Sequence, residues 1–246
     1  MDRLLYVAMN GAAGTGLAQT VLANNLANVS TTGFRADLAL FEASPAPGAG
    51  WPSRVDARLA GTATDLSPGP LVTTGRELDV AVQGRGWIAV QAADGSEAYT
   101  RAGDLRVDEL GRLLTGAGHP VLGNAGPIAL PPHERLVIGS DGTISVVPLG
   151  QGANALAVVD RIRLVDPDPR QLVKGADGLL RLRGGGEAEP DAGVRLASGV
   201  LESSNVNAVE AMVQMIELAR RFELQVRMMK TARENDAASA QLLRMA

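Results

Sequence analysis

From Asn205 to Ala246 the chain carries neither glycine nor proline, and within that stretch Met212, Met215, Ala219, Phe222, Val226 and Met229 recur at alternating steps of three and four residues. That spacing is a heptad seam, so the end of the chain is predicted to be one long α-helix with a helical partner. Ala240 and Leu243 continue the register beyond Arg233 and Asp236, which interrupt it. Asn207, followed three residues later by Glu210, reads as an N-cap with a capping-box partner. Val206, Val209, Val213 and Ile216 form a second apolar strip beside the seam. Two strips on one helix call for more than one neighbour, as in a bundle or stack.

The beginning of the chain has a similar character. No proline occurs from Asp2 to about Val29, and Leu4, Val7, Gly11, Gly14, Ala18 and Val21 fall on one helical face. Ser30-Thr31-Thr32-Gly33 is a plausible stop. Gly11, Gly14 and Gly16 weaken this helix when isolated. Three readings of Gly14 stand at this point: close approach by a neighbouring helix, a deliberately weak helix, or a local break.

Between the two ends the periodicity changes to two. Ser44-Pro-Ala-Pro-Gly-Ala-Gly-Trp-Pro52 cannot be regular helix or central strand. Leu78, Val80 and Val82 then alternate with other residues, and Trp87-Ile-Ala-Val90 leads into an Asp94-Gly95 turn. Leu105/Val107, Leu113–Thr115, Val137-Ile138, Ile144–Val147, Ile162/Leu164 and Leu180/Leu182 follow as short strands, with a hairpin signal at Ser140-Asp-Gly142. The expected fold class is α+β: an antiparallel β domain, closed or sandwich-like, flanked by N- and C-terminal helices that pair in a coiled-coil-like domain. The expected boundaries are 1–32 with 205–246 for the helices, 33–75 for an extended linker or hairpin region, and 76–204 for the β domain.

Composition narrows the functions. The net charge of −4 over 246 residues comes without a basic cluster, which argues against a nucleic-acid partner. The absence of cysteine removes disulfides, thiolate metal sites and cysteine nucleophiles. No apolar run reaches the roughly 18–20 residues of a membrane span, and the N-terminus lacks the pattern of a cleaved signal peptide. Gly84-Arg-Gly86-Trp-Ile-Ala89 matches a dinucleotide fingerprint in letters, but a strand is predicted where a helix would have to begin. His119 and His133 have no second ligand at metal-binding spacing. No serine sits in G-x-S-x-G, and no carboxylate pair is legible as an acid/base couple. No catalytic residue, cofactor or metal is therefore assigned. Asn28-Val-Ser30 fits a glycosylation sequon, although a helix end is the simpler reading. The methionine stripe reads as packing, with packing between chains favoured over packing within one.

Several motifs carry a family resemblance. Ala23-Asn-Asn-Leu-Ala-Asn28 followed by Thr32-Gly-Phe34 resembles the N-terminal signature of flagellar rod and hook axial proteins. Ser203-Ser-Asn-Val-Asn207, with Met215-Ile216 and Arg220-Arg-Phe222, resembles their C-terminal signature. Leu78-Asp-Val-Ala-Val82, Gly84-Arg-Gly86 and Tyr99-Thr-Arg-Ala-Gly103 are similar to the family's β core, with departures at Trp87-Ile88 and Asp104-Leu105. Met1-Asp-Arg-Leu-Leu-Tyr-Val-Ala-Met9, Gly33-Phe-Arg-Ala-Asp-Leu38 and Ala219-Arg-Arg-Phe222-Glu-Leu-Gln resemble the proximal-rod branch more than the distal one. The resemblance implies a structural subunit that leaves the cell through the flagellar type III export apparatus without a cleaved signal. It also implies assembly with other rod proteins and with copies of itself into the axial shaft needed for motility. No nucleic acid, membrane insertion or cofactor is implied. The interface residues so implied are Leu4, Val7, Gly11, Gly14, Ala18, Val21, Asn24, Asn25, Asn28, Met212, Met215, Phe222, Val226 and Met229. A distal-rod or hook protein is the nearest alternative. A secreted β-domain binding module or cell-wall enzyme dimerised by its end helices is a more distant one.

Overall fold

Lacking any proline, the first residues form helix α1 (Asp2–Ala27), and the glycine- and proline-free C-terminus forms α2 (Ala208–Met245). The computed structural model describes residues 2–45, 55–150 and 156–245; the expected irregular stretch after Pro45 lies outside them. α2 begins as its sequence requires: Asn207 Oδ1 accepts the backbone N–H groups of Val209 and Glu210 at 3.1 and 3.3 Å. Glu210 does not close a capping box, because its carboxylate takes the side-chain amide of Gln214 one turn on.

The chain divides into two compact units. The first comprises residues 1–28, 36–65 and 206–246. In it α1 and α2 lie side by side, and the strands Asp37–Pro45 and Val55–Thr64 form an antiparallel hairpin against α1. The residues expected to form a separate linker thus join the helices for most of their length. α1 buries Ala8, Ala12, Thr15, Ala18, Leu22 and Asn25. Most of these are small, which allows its partners to approach closely. The helix passes through Gly11, Gly14 and Gly16 without interruption, so the local-break reading of Gly14 is wrong.

α2 turns a slightly different seam inward from the one its methionines suggest. Ala211 and Ala232 are buried, and Met215, Leu218, Gln225, Met229, Asp236 and Ser239 are half-buried, again at steps of four and three. Met215, Phe222 and Met229 belong to both seams, whereas Met212, Ala219 and Val226 lie on the flank. A polar contact helps fix this rotation. The Thr15 hydroxyl lies 3.1 Å from Gln225 Oε1, and the amide of Gln225 fills the space a side chain on Gly11 would need.

The second unit, residues 29–35 and 66–205, is built from short antiparallel strands. Leu164–Val165, Trp87–Gln91, Glu97–Thr100, Leu180–Leu182 and Leu172–Lys174, in that order, make a five-stranded sheet. His133–Ile138, Thr143–Pro148 and Ala157–Arg161 make a three-stranded one with Thr143–Pro148 in the centre. Val80–Gln83 pairs with Arg195–Ser198, Leu71–Thr73 with Val200–Glu202, and Leu105–Val107 with Leu113–Thr115. Alternation along Trp87–Gln91 sends Ile88 and Val90 into one apolar core and Trp87 and Ala89 into another, so this strand is covered on both faces. Gly84 and Gly86 connect two strands, and no helix follows them. Asp94, Asp108, Asp141 and Asp177 each accept backbone N–H bonds in the turns that join the strands.

Candidate assembly surface and a buried clasp

Within the helical unit, the sequence-predicted interface residues separate into inward and outward groups. Gly14, Ala18 and Asn25 are buried; Gly11, Val21, Asn28, Met215 and Met229 are half-buried; Val7, Asn24, Met212, Phe222 and Val226 are exposed. Leu4 lies on α1, with its side chain outside the described residues. Asn25 serves the subunit's own hairpin: its amide donates to Asp37 O and accepts from Asp37 N–H, both at 2.8 Å, as a strand partner would. Asn28 Nδ2 donates to Asn24 O at 2.9 Å and closes the end of α1.

The outward residues include a set of large apolar side chains. Along α2, Val209 (68% exposed), Met212, Val213, Ile216 (55%) and Val226 form a stripe, and Leu224 and Met228 lie on another flank. α1 adds Tyr6, Val7, Met9 and Leu17, and the hairpin adds Leu38 and Leu40. Exposed apolar side chains grouped along one element mark an interaction site. Val209, Val213 and Ile216 were legible as the second strip of the last helix. Leu38 and Leu40 were not identified, although their period-two spacing is the signal of a strand face.

Gly14 has a neighbour within the chain. A Cβ built there would lie 3.2 Å from Phe41 Cε1 of the hairpin. Gly14→Leu should therefore lower the stability of the full chain by about 1–3 kcal/mol through overpacking. In a Phe41→Ala background the loss should shrink by about 1 kcal/mol or more, as expected of residues in contact. Thermal unfolding followed by circular dichroism measures both. Equal losses in the two backgrounds would remove Phe41 as the obstacle.

In the β unit, residues from the N-terminal, central and C-terminal motifs meet. Glu202, 1% exposed, receives Arg35 Nη2 on Oε1 at 2.5 Å and Arg101 Nη1 on Oε2 at 3.0 Å. Arg35 and Arg101 are themselves 3% and 4% exposed. Both guanidinium groups lie over the ring of Trp87, at 5.6 and 5.0 Å from its centroid. Trp87, one of the departures from the family pattern, thus carries both guanidinium groups on its ring face. Arg101 also donates to Gly84 O at 2.7 Å. Burial pushes the Arg101 guanidinium pKa down, and Glu202 pulls it back up. Backbone bonds surround the carboxylate. Gly33 N–H donates to Glu202 O at 2.7 Å, Asn205 N–H to Phe34 O at 3.3 Å, and Gly69 N–H to Glu202 Oε1 at 2.9 Å. Within the helical unit α1 and α2 run antiparallel: Gly11 and Thr15 meet Gln225, and Ala18, further along α1, lines the same cleft as Leu218, nearer the start of α2. Sequence reading placed Arg35 and Arg101 in motifs without a role and left Glu202 unassigned. No local pattern relates three residues so far apart in the chain.

Comparison with known proteins agrees with these motifs. Three family models match: "Flagella basal body rod protein" over residues 5–35, "Flagellar hook protein FlgE/F/G D1 domain" over 81–146, and "Flagellar basal body rod FlgEFG protein C-terminal" over 197–242. All three describe one class, the axial proteins of the flagellar rod and hook. The chain belongs to the flagellar basal-body rod proteins of the FlgF group. It is 45% identical to flagellar basal-body rod protein FlgF of Escherichia coli K12 and 44% identical to that of Salmonella typhimurium, in each case over the full length of both chains. Similarity to flagellar basal-body rod protein FlgG of Bacillus subtilis is lower, 30% over 95% of this chain and 96% of that protein.

Proposed function

We propose that this chain is a non-enzymatic structural subunit of the proximal rod of the bacterial flagellum. Its two terminal helices pair in a coiled-coil-like manner and present their uncovered faces to copies of the chain and to other rod proteins. The observation that carries this reading is the stripe Val209, Met212, Val213, Ile216 and Val226, which α1 leaves uncovered. At about 25 cal/mol per Å² of apolar area removed from water, such a stripe stabilises an assembly substantially once neighbouring helices cover it. The full-length similarity to basal-body rod proteins named FlgF supports the same site of action. Passage through the flagellar export apparatus follows from that reading, and a chain without cysteine crosses unfolded with no risk of disulfide trapping.

The test is biochemical and genetic together. The chain should co-purify with basal bodies, and cells lacking it should be non-motile until it is supplied again. Absence of the chain from basal bodies of motile cells would overturn the assignment.

A further inference from the structure

The Arg35–Glu202–Arg101 cluster is an improbable way to fill a core for stability alone. Two cations face one carboxylate in a nearly dry site, and Arg35 Nε, Arg35 Nη1 and Arg101 Nε have no hydrogen-bond partner among the described residues. Buried ion triads are often no more stable than apolar residues of the same volume, and unpaired buried donors add to their cost. The cluster does have one property that apolar side chains cannot reproduce. Through Glu202 it joins four stretches distant in sequence: Gly33–Arg35 just after α1, Gly69 just after the hairpin, Arg101 just after the strand Glu97–Thr100, and its own strand just before α2.

We propose that Glu202 is a positioning residue that locks the two exits of the β unit against each other. In this role it fixes where the chain arrives from α1 and where it departs into α2. Direction is built into the arrangement. The backbone bonds Gly33–Glu202 and Phe34–Asn205 alone could open or shift register, because each is a single amide contact near a chain exit. The carboxylate removes that freedom, since only one placement of Arg35, Gly69 and Arg101 satisfies both of its oxygens. Trp87 makes the excess cation tolerable by offering its π face to both guanidinium groups. Once the exits are locked, the antiparallel start of the helix pair is set before any neighbouring subunit arrives. That last consequence rests on the rod-subunit reading; the lock itself does not.

Hydrogen exchange on the full chain tests the lock. In Glu202→Gln the amides of Gly33, Gly69 and Asn205 should exchange at least about tenfold faster, with those of Ile88, Val90 and Val146 still protected. A second variant separates positioning from stability: Arg35→Met, Arg101→Met and Glu202→Leu combined. It should match or exceed the wild type in thermal midpoint and still exchange rapidly at Gly33, Gly69 and Asn205. Wild-type protection at those three amides in either variant overturns the proposal. So does a triple variant in which core and exits lose protection together. In cells, Glu202→Gln should be exported and give markedly smaller swimming halos than the wild-type chain. If the wild-type chain itself fails to restore swimming, the rod reading fails, while the exchange result on the lock still stands.

Discussion

Cells carrying Phe222→Asp should export the protein and fail to swim. Phe222 sits on the seam shared by Met215 and Met229, yet it remains 40% exposed, so its ring is only partly covered within the chain. In the free chain the substitution therefore removes a partial contact, and a carboxylate at that position stays largely hydrated. In the proposed assembly a neighbour would cover the remaining apolar area. Complete burial of such a ring is worth roughly 1.5–3 kcal/mol, and a charge placed there has to be desolvated without a partner. The penalty recurs in every subunit. Unfolding of the purified variant should shift by no more than about 1 kcal/mol, as is usual for a substitution outside a fully buried core. Rod completion, scored by electron microscopy of basal bodies, should be lost. Normal swimming would contradict an inter-subunit role for this face, and loss of soluble protein would move Phe222 into the chain's own core.

Gly33→Ala should destabilise the β unit by roughly 2–5 kcal/mol. Gly33 has a φ of +66°, the left-handed region where a Cβ costs about 1–2 kcal/mol. The larger penalty is steric. A Cβ there would lie 2.3 Å from the carbonyl carbon of Arg101 and 2.4 Å from the amide nitrogen of Ala102. Both are backbone atoms of a strand connection that cannot move without disturbing Arg101 and its bond to Glu202. Overpacking adds about 1–3 kcal/mol, and the sum is a large share of the 5–15 kcal/mol typical of a domain. Urea denaturation followed by tryptophan fluorescence reads it directly through Trp87. A loss below about 1 kcal/mol would mean that the Gly33 segment is not held against Arg101.

The parts legible in the sequence were those whose cause is local. Proline-free ends with apolar steps of three and four became α1 and α2, because helix periodicity is a short-range property. Trp87–Gln91 and Thr143–Pro148 were legible as strands for the same reason, with Asp-Gly pairs marking turns after the first and before the second. Which side of each helix faces inward was not legible. Met212, Ala219 and Val226 form as good a seam by spacing as Ala211, Leu218 and Gln225. The choice is made by Thr15 and Gly11 on the other helix, about two hundred residues away in sequence. Close approach by a neighbouring helix was one of three readings of Gly14; its neighbour within the chain is Phe41 of the hairpin, and no periodicity in α1 points to that ring. The clasp was hidden most completely. A glutamate at the end of a short exposed-looking strand carries no sign that two arginines and a tryptophan will enclose it.

Because the chain has no cysteine, single introduced thiols can report on burial of the stripe without background from the chain's own side chains. Variants carrying one cysteine at position 212, 213, 216 or 226 would be labelled with a maleimide, first as free monomer and then within purified basal bodies. The account predicts rapid labelling of all four in the monomer and a fall of at least about tenfold on assembly, since neighbouring helices then exclude the reagent from this apolar stripe. Equal labelling rates in the two states would show that the stripe stays uncovered in the rod, and the account of assembly through the outward face of α2 would be wrong.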